Sequence, residues 1–435
     1  MSLKVFKFGG ASVQDAQGIR RLLSLLRTYG DGPLWVVVSA MGKTTNLLER
    51  LVQACYEDRW PEAMEYWGMV HDTHMERIGP LAKDLEAEGS RDAGTLEQTL
   101  DAWLALLRED MDLQRTKGLS YNAFYDQIVC YGELVSTALV SAYLKAMHFG
   151  HRWVDARELV RTDATWRDAR IQWNETTRLL KARNLEVSSE HAGPVLIQGF
   201  IGKNHPTGLT TTLGREGSDF TASVIAHALE AEEVWVWKDV EGVMDADPRL
   251  FPMARVLPQL TYLEAVEMTY YGASVIHPKT IQPLQNKGIP LRVRSFLYPS
   301  AAGTVIAGHA RTGPPSACVI VKKNQCLLEM VAKDFSFISE EGLALIYQAL
   351  YEQGLKANLA RHTAVSFSLC VDNDPYKRVP VQESLADRFE IRLTEGLSLW
   401  TLMHQSEKMR KGLLSGKQIL FEQHINDVFQ YVLVE

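Results

Sequence analysis

The chain has 435 residues, too many for one average domain and enough for a catalytic domain of about 300 residues with one or two small ones beside it. Its 46% hydrophobic and 23% charged residues exclude a disordered or fibrous chain, and a formal net charge of -7 with scattered Lys and Arg excludes a general attraction to nucleic acid or anionic lipid. Cys55, Cys130, Cys318, Cys326 and Cys370 form no CxxC pair, are odd in number and read as reduced thiols without chemistry. The N-terminus runs straight into a strand pattern and no run approaches ~18 apolar residues, so the cytoplasm is the expected location.

In chain order, Val5 to Phe8 reads as a strand, Ala16 to Tyr29 as an amphipathic helix, Leu34 to Ser39 as a second strand, and helices follow to about Arg108. Further strands are expected at Trp153-Val154-Asp155, Pro194 to Gln198, Val234 to Val236 and Ile289 to Val293, separated by helices such as Asp219 to Leu229 and Leu263 to Tyr270. Strands alternating with helices imply an α/β domain with a mainly parallel sheet, here extending over residues 1–306. Gly308 to Ser316, rich in Gly and Pro, reads as a linker. Beyond it, Ala317 to Lys322, Leu327 to Ala332 and Ala364 to Val371 read as strands around a helix at Glu340 to Glu352, with a weaker echo from Phe389 to Glu435. The tail is thus expected to form small α+β modules at 317–385 and 386–435, the second shortened.

Three glycine-rich turns follow strands, where backbone N–H groups can converge on phosphate oxygens. In Lys7-Phe8-Gly9-Gly10-Ala11-Ser12-Val13, a lysine precedes a Gly pair, as neutralising a transferring phosphoryl group requires; the alternative is a tight turn with a solvated lysine. Ser39-Ala40-Met41-Gly42-Lys43-Thr44-Thr45-Asn46 echoes the end of a P-loop but has Val37 where the first glycine belongs, and so fails that test. Its small hydroxyl residues still suit a polar substrate at the carboxyl edge of a sheet. In Thr210-Thr211-Thr212-Leu213-Gly214-Arg215-Glu216-Gly217-Ser218-Asp219, Arg215 offers a two-pronged donor for a carboxylate, and Asp219 could orient a lysine or help to bind magnesium. Ser218 or Asp219 could equally be no more than a helix N-cap.

These stretches, together with Asp239-Val240-Glu241-Gly242-Val243 and Asp247-Pro248-Arg249, resemble the signatures of aspartate kinases, in the amino acid kinase superfamily. Tyr131-Gly132-Glu133-Leu134-Val135-Ser136-Thr137 resembles that family's substrate-binding helix, and Tyr271-Gly272-Ala273 with His277-Pro278 its nucleotide-side loop. The likeness covers about residues 3 to 306 and, less clearly, the tail. It implies a three-layer sandwich followed by ACT-like regulatory modules. It also implies ATP- and Mg2+-dependent phosphorylation of the L-aspartate β-carboxylate to 4-phospho-L-aspartate, the first step toward lysine, threonine and methionine.

By the same resemblance, Lys7 neutralises the migrating phosphoryl group, Asp219 holds Lys7, and the backbone of Gly9, Gly10 and Ser12 cradles phosphate oxygens. Arg215 grips the substrate α-carboxylate and Glu133 its ammonium, assisted by Thr45 and Ser218; Glu133 alone could be an ordinary solvated helix residue. Lys238, Asp239, Met244, Arg249 and Ser274 match nucleotide contacts, against the alternative of a Pro-terminated turn with a solvated Arg249. Ala11, Lys238, Met244 and Ser274 depart from the family pattern; Ser274 replaces a lysine near the ATP phosphates, for which Lys279 and Lys43 are the candidate substitutes.

His71 and His74 stand one helical turn apart with no third ligand, and read as residues of an exposed helix, so no metal site is predicted. Trp235 and Trp237 alternate on a strand and read as packing. In the tail, Phe337 to Leu343 would enter the first ACT-like helix and offer a place for an amino-acid effector, lysine or threonine, with a homodimer formed through these modules. Two other readings stay open: an amino acid kinase acting on glutamate, and a catalytically silent amino-acid sensor. No part of the chain is left over for a fused dehydrogenase domain.

Overall fold

The computed structural model describes residues 2–87, 94–190, 193–273, 276–308, 315–334 and 336–435. The chain divides into two compact units, the first made of Met1–Val243, Val256–Val266 and Ile276–Ala310, the second of Met244–Arg255, Glu267–Val275 and Arg311–Glu435. The expected linker lies largely outside the described residues.

The first unit carries strands β1 (Lys4–Phe8), β2 (Leu34–Val38), β3 (Arg152–Val154), β4 (Arg161–Thr162), β5 (Val195–Gln198), β6 (Ile201–Asn204), β7 (Thr210–Thr212), β8 (Glu233–Lys238), β9 (Gln259–Thr261), β10 (Leu291–Ser295) and β11 (Thr304–Ala307). Eight of them form one sheet in the order β3-β5-β2-β1-β8-β10-β11-β9, and β4, β6 and β7 form a small second sheet. Pairings from β3 to β10 are parallel, and the β10–β11 pair is antiparallel. β2 and β5 are buried throughout, as expected of strands covered on both faces.

The two-residue period of β1 assigns its side chains to opposite layers. Phe6 and Phe8 stack on Trp235 and Trp237 at centroid distances of 5.1 and 6.1 Å, and Tyr29, at the end of the helix Ala16–Tyr29, closes over both tryptophans. Lys7, of opposite parity, meets Asp219 in the first turn of the helix Gly217–Leu229. Helices therefore cover both faces, and the tryptophan pair is packing.

One stretch, Tyr121–Ala146, is long and apolar enough to cross a bilayer by length and composition, contrary to the reading of the sequence; 89% of its apolar window is buried, as in the core helix of a folded unit. His74 also differs from expectation. It is fully buried in the helix Trp60–Ala87, its Nδ1 lies 2.7 Å from Val70 O, and burial lowers its pKa to about 4, whereas His71 sits at the surface beside Asp72. A three-residue step on a helix turns about 300°, enough to separate an inward from an outward side chain at the edge of an apolar face.

The second unit contains β12 (Cys318–Ala332), β13 (Ala357–His362), β14 (Ser366–Asp372), β15 (Phe389–Met403), β16 (Ile419–Ile425) and β17 (Val428–Val434) in an antiparallel sheet ordered β13-β14-β12-β15-β17-β16. The helix Glu340–Glu352 lies where the sequence puts it, its N-cap Ser339 accepting from Gly342 N. With the helix Pro375–Leu385 it completes a βαββαβ pattern. β12 and β15 are each 15 residues long, pair with one another from end to end, and continue past that module to where β15 pairs with β17, so the two ACT-like modules share strands. The register of β12 shifts between Lys322 and Leu327, around Asn324 with φ 53°, which is why the sequence reads as two strands there.

Candidate active site

The carboxyl ends of β1 and β2, the N-terminus of the helix Gly217–Leu229 and that of the helix Tyr131–Ala146 converge on a cleft of about 470 Å³ in the first unit. It is lined by Lys7, Gly10, Thr45, Glu133, Arg215, Ser218 and Asp219, residues that sequence reasoning had drawn from four separate stretches, and also by Tyr125, Arg167 and Phe200, which it had not. Of the latter, Arg167 follows no motif and no periodicity.

Lys7 and Asp219 are nearly inaccessible, and Lys7 Nζ lies 2.6 Å from Asp219 Oδ1. Burial alone would push the Asp219 pKa up, but the charges of Lys7 and Lys238 outweigh it and hold this carboxyl below its ordinary range. Lys238 at the end of β8 therefore adds positive potential beside the pair. Gly10 is required by space, since a Cβ there would stand 2.8 Å from Ala40 O, and a Cβ on Gly9 would crowd Lys7 Nζ at 3.2 Å. Ser12, expected to lend its backbone to phosphate, donates its amide to Gly9 O and its hydroxyl to Trp237 O, and so shapes the turn.

Glu133 is buried in the first turn of its helix. Its Oε1 accepts from Ala40 N at 3.1 Å, and its Oε2 has no partner. Burial raises its pKa to about 8, opposed only in part by that hydrogen bond and by the charge of Lys7. Gly132 lets the helix approach, since a Cβ there would meet Ala40 Cβ at 2.9 Å. The alternative of a solvated helix residue is thereby removed.

Ser218 and Asp219 lie inside the first turn of their helix; the N-cap is Glu216, in the left-handed region, with no side-chain capping bond. Capping thus does not account for either residue. Ser218 packs behind Gly199, where a Cβ would fall 2.4 Å from Ser218 Cβ. Arg215 is exposed at the cleft and makes no ion pair with a described residue. The strand before it is fixed by buried Asp126, which accepts from Thr212 N and Oγ1 at 3.0 and 2.7 Å. Thr45 stands in the first turn of the helix Thr44–Tyr56.

Asp239 is exposed just after β8. Met244 and Arg249 belong to the second unit, where Arg249 is held by Asp247 in a two-pronged pair. Ser274 lies outside the described residues. Of its suggested substitutes, Lys279 is engaged by Asp168 at 2.6 Å and Leu213 O at 2.8 Å, and Lys43 is exposed at the start of its helix. All five cysteines are buried and none forms a disulfide.

A neutralised lysine, glycine-lined backbone and a helix N-terminus around one cleft suit phosphoryl transfer, and the separated Glu133 and Arg215 suit a zwitterionic acceptor. The class is that of the amino acid kinase family, whose model matches residues 2–295. Aspartokinase 2, chloroplastic, of Arabidopsis thaliana is 31% identical over 422 residues, covering 93% of this chain and 74% of that relative. The structure of E. coli aspartokinase III in complex with lysine and aspartate (T-state) aligns over 99% of this chain and 95% of its own, with a TM-score of 0.81 and 27% identity. The same enzyme in complex with aspartate and ADP (R-state) gives 0.79 and 26% over 99% and 96%. The chain belongs to the aspartokinases.

Proposed function

We infer that this chain transfers the γ-phosphoryl group of ATP to the β-carboxylate of L-aspartate, forming 4-phospho-L-aspartate at the head of lysine, threonine and methionine biosynthesis. The observation that carries the reading is the buried, half-partnered carboxylate of Glu133 in the same cleft as the Lys7–Asp219 pair and Arg215.

The β-carboxylate is ionised at neutral pH, so the reaction needs no strong base, and alignment with charge neutralisation supplies the rate. Lys7, held by Asp219, meets the phosphoryl group, and the backbone at Gly9 and Gly10 admits phosphate oxygens that a side chain would exclude. Glu133 takes the substrate ammonium on its unpartnered oxygen. Arg215 takes the α-carboxylate, with Thr45 and Ser218 as hydroxyl partners. Lys238 and Asp239, with Met244, Arg249 and Ser274, are assigned to the nucleotide by resemblance to the family.

Among the described residues there is no cluster of three His, Cys, Asp or Glu side chains. Magnesium would arrive on the nucleotide phosphates, with Asp219 the carboxylate that would hold it. When bound, the ion neutralises charge on the transferring group.

In the second unit, a cavity of about 310 Å³ at the entry to the helix Glu340–Glu352 is lined by Lys333, Asp334, Phe337, Ser339, Glu341 and Arg388. Groups of both charge signs around one cavity support an amino-acid effector, lysine or threonine. Titration calorimetry with both amino acids tests it, and light scattering tests the homodimer proposed through these modules.

Trapping with hydroxylamine tests the activity. Purified protein with ATP, magnesium and L-aspartate is expected to yield aspartyl hydroxamate, and neither L-glutamate nor the Lys7→Ala variant is. No product from folded wild type at high ATP would instead favour the silent sensor.

A further inference from the structure

Arg167 lines the active-site cleft, yet no motif of the sequence points to it. Its φ of 67° lies in the left-handed region, where a residue with a Cβ is disfavoured and glycine is the usual choice. The conformation is imposed from two sides. Buried Asp126 accepts from the Arg167 amide at 3.1 Å with the same oxygen that accepts from Thr212 N. Next door, Asp168 packs on Gly214, where a Cβ would come within 2.5 Å of its Oδ1, and holds Lys279.

The side chain is also arranged. The guanidinium carbon lies 4.2 Å from the centroid of the Tyr125 ring, a cation–π distance, and Tyr125 lines the same cleft. Nη1 reaches Asn122 Oδ1 at 3.5 Å, and no carboxylate among the described residues forms an ion pair with the guanidinium. A cation is thus oriented by stacking, without a direct ion pair among the described residues though within the field of Asp126, and carried by backbone that a glycine would adopt more readily. Asp126 ties it to the strand leading into Arg215.

We propose that Arg167 is a second α-carboxylate donor, which acts with Arg215 to select amino acids carrying a free α-carboxylate. The proposal rests on the aspartate-kinase reading of this cleft. Both arginines are exposed, but Arg215 is free to move and costly to order on binding, whereas the Arg167 guanidinium, set in advance on Tyr125, retains more of its hydrogen-bond energy. One charge-assisted hydrogen bond is worth about a tenfold change or more in affinity.

The test compares wild type with Arg167→Gly and Arg167→Lys, in turnover and by titration calorimetry with L-aspartate. Glycine relieves the backbone conformation, so Arg167→Gly should fold at least as stably as wild type. Its KM and Kd for L-aspartate should rise about tenfold or more, with kcat and the KM for ATP within about twofold. Its preference for L-aspartate over the L-aspartate α-amide should shrink by a similar factor, and Arg167→Lys should recover part of it. An unchanged KM and unchanged α-amide discrimination in a folded Arg167→Gly, or a fall in kcat with KM for aspartate unmoved, would overturn the assignment. A folded wild type that neither binds nor phosphorylates aspartate would overturn the functional reading and this one together; active wild type with insensitive variants would overturn this one alone.

Discussion

Glu133→Gln replaces a carboxyl whose pKa burial has pushed up to about 8 by an amide of the same shape. The amide oxygen keeps the bond from Ala40 N, so the change is confined to charge and protons. A carboxyl raised from 4.5 holds its proton in the native state while the unfolded chain has lost it, so the native form binds more protons between those values. The associated stability is fully present below about pH 4.5 and is lost as pH rises through about 8. At 1.36 kcal/mol per pH unit the loss is on the order of 5 kcal/mol at most, and the amide escapes it. The melting temperature of Glu133→Gln should therefore match wild type near pH 5 and exceed it by about 5 °C or more near pH 9. Aspartate binding should move oppositely, since an amide cannot balance a buried ammonium. Losing one partner of such a pair costs about 3–5 kcal/mol, a rise of about 10²–10³-fold or more in KM. In wild type, kcat/KM for aspartate should climb toward a plateau above about pH 8 as Glu133 ionises, and in the variant that limb should vanish. A hydroxamate assay across pH 6 to 9.5, with melting curves in the same buffers, reads both effects. The same rising limb in Glu133→Gln, or a melting difference independent of pH, would refute the reasoning.

Lys7→Ala should lower kcat by about 10²–10³-fold and leave Asp219 as a buried charge without its partner, destabilising the fold by about 3–5 kcal/mol. Lys7→Met with Asp219→Asn should restore most of the melting temperature and none of the activity. Asp126→Asn turns an amide donor toward a site that receives three hydrogen bonds, and should cost about 1–3 kcal/mol in urea denaturation at pH 8. Because burial raises the Asp126 pKa to about 6, its stabilising proton is lost as pH rises from about 4 to 6, and that dependence should be absent in the variant. Gly199→Ala forces a methyl within 2.4 Å of Ser218 Cβ; circular dichroism should stay native while kcat/KM for aspartate falls more than tenfold.

How much of this was legible in the sequence depended on whether the signal was local. The helices Ala16–Tyr29 and Glu340–Glu352 could be read to the residue, because an apolar face and a capping side chain mark them. β13 was missed: Ala357–His362 carries Asn358, Arg361 and His362, and its pairing with β14 outweighs a weak propensity. The glycine-rich turns were visible as spacing, but the spacing did not reveal that the Ser12 amide and hydroxyl are already satisfied. The burial of Glu133 had a signal of its own. Tyr131–Ala146 is apolar around nearly its whole circumference, which marks a helix enclosed by protein, and a lone carboxylate at its first turn is then a buried charge needing a purpose.

Arg167 and the proton on Glu133 are properties of the assembled cleft, and they bear on how it discriminates. In the free site Lys7 is neutralised by Asp219, and at neutral pH Glu133 is mostly protonated, so the charges exposed along the cleft walls are those of Arg167, Arg215 and Glu216. An anion with a carboxylate but no ammonium can reach the arginines, yet it leaves Glu133 neutral and gains nothing from it. With Glu133 in its proposed role, a substrate with both groups would ionise it on arrival, gaining a charge pair within buried surroundings where screening is weak. On that proposal, specificity for an amino acid over a plain dicarboxylate would follow from a proton that the substrate itself displaces. Succinate, which lacks only the ammonium of aspartate, should accordingly compete poorly with it, and least well where Glu133 is already ionised and repels it, above about pH 8.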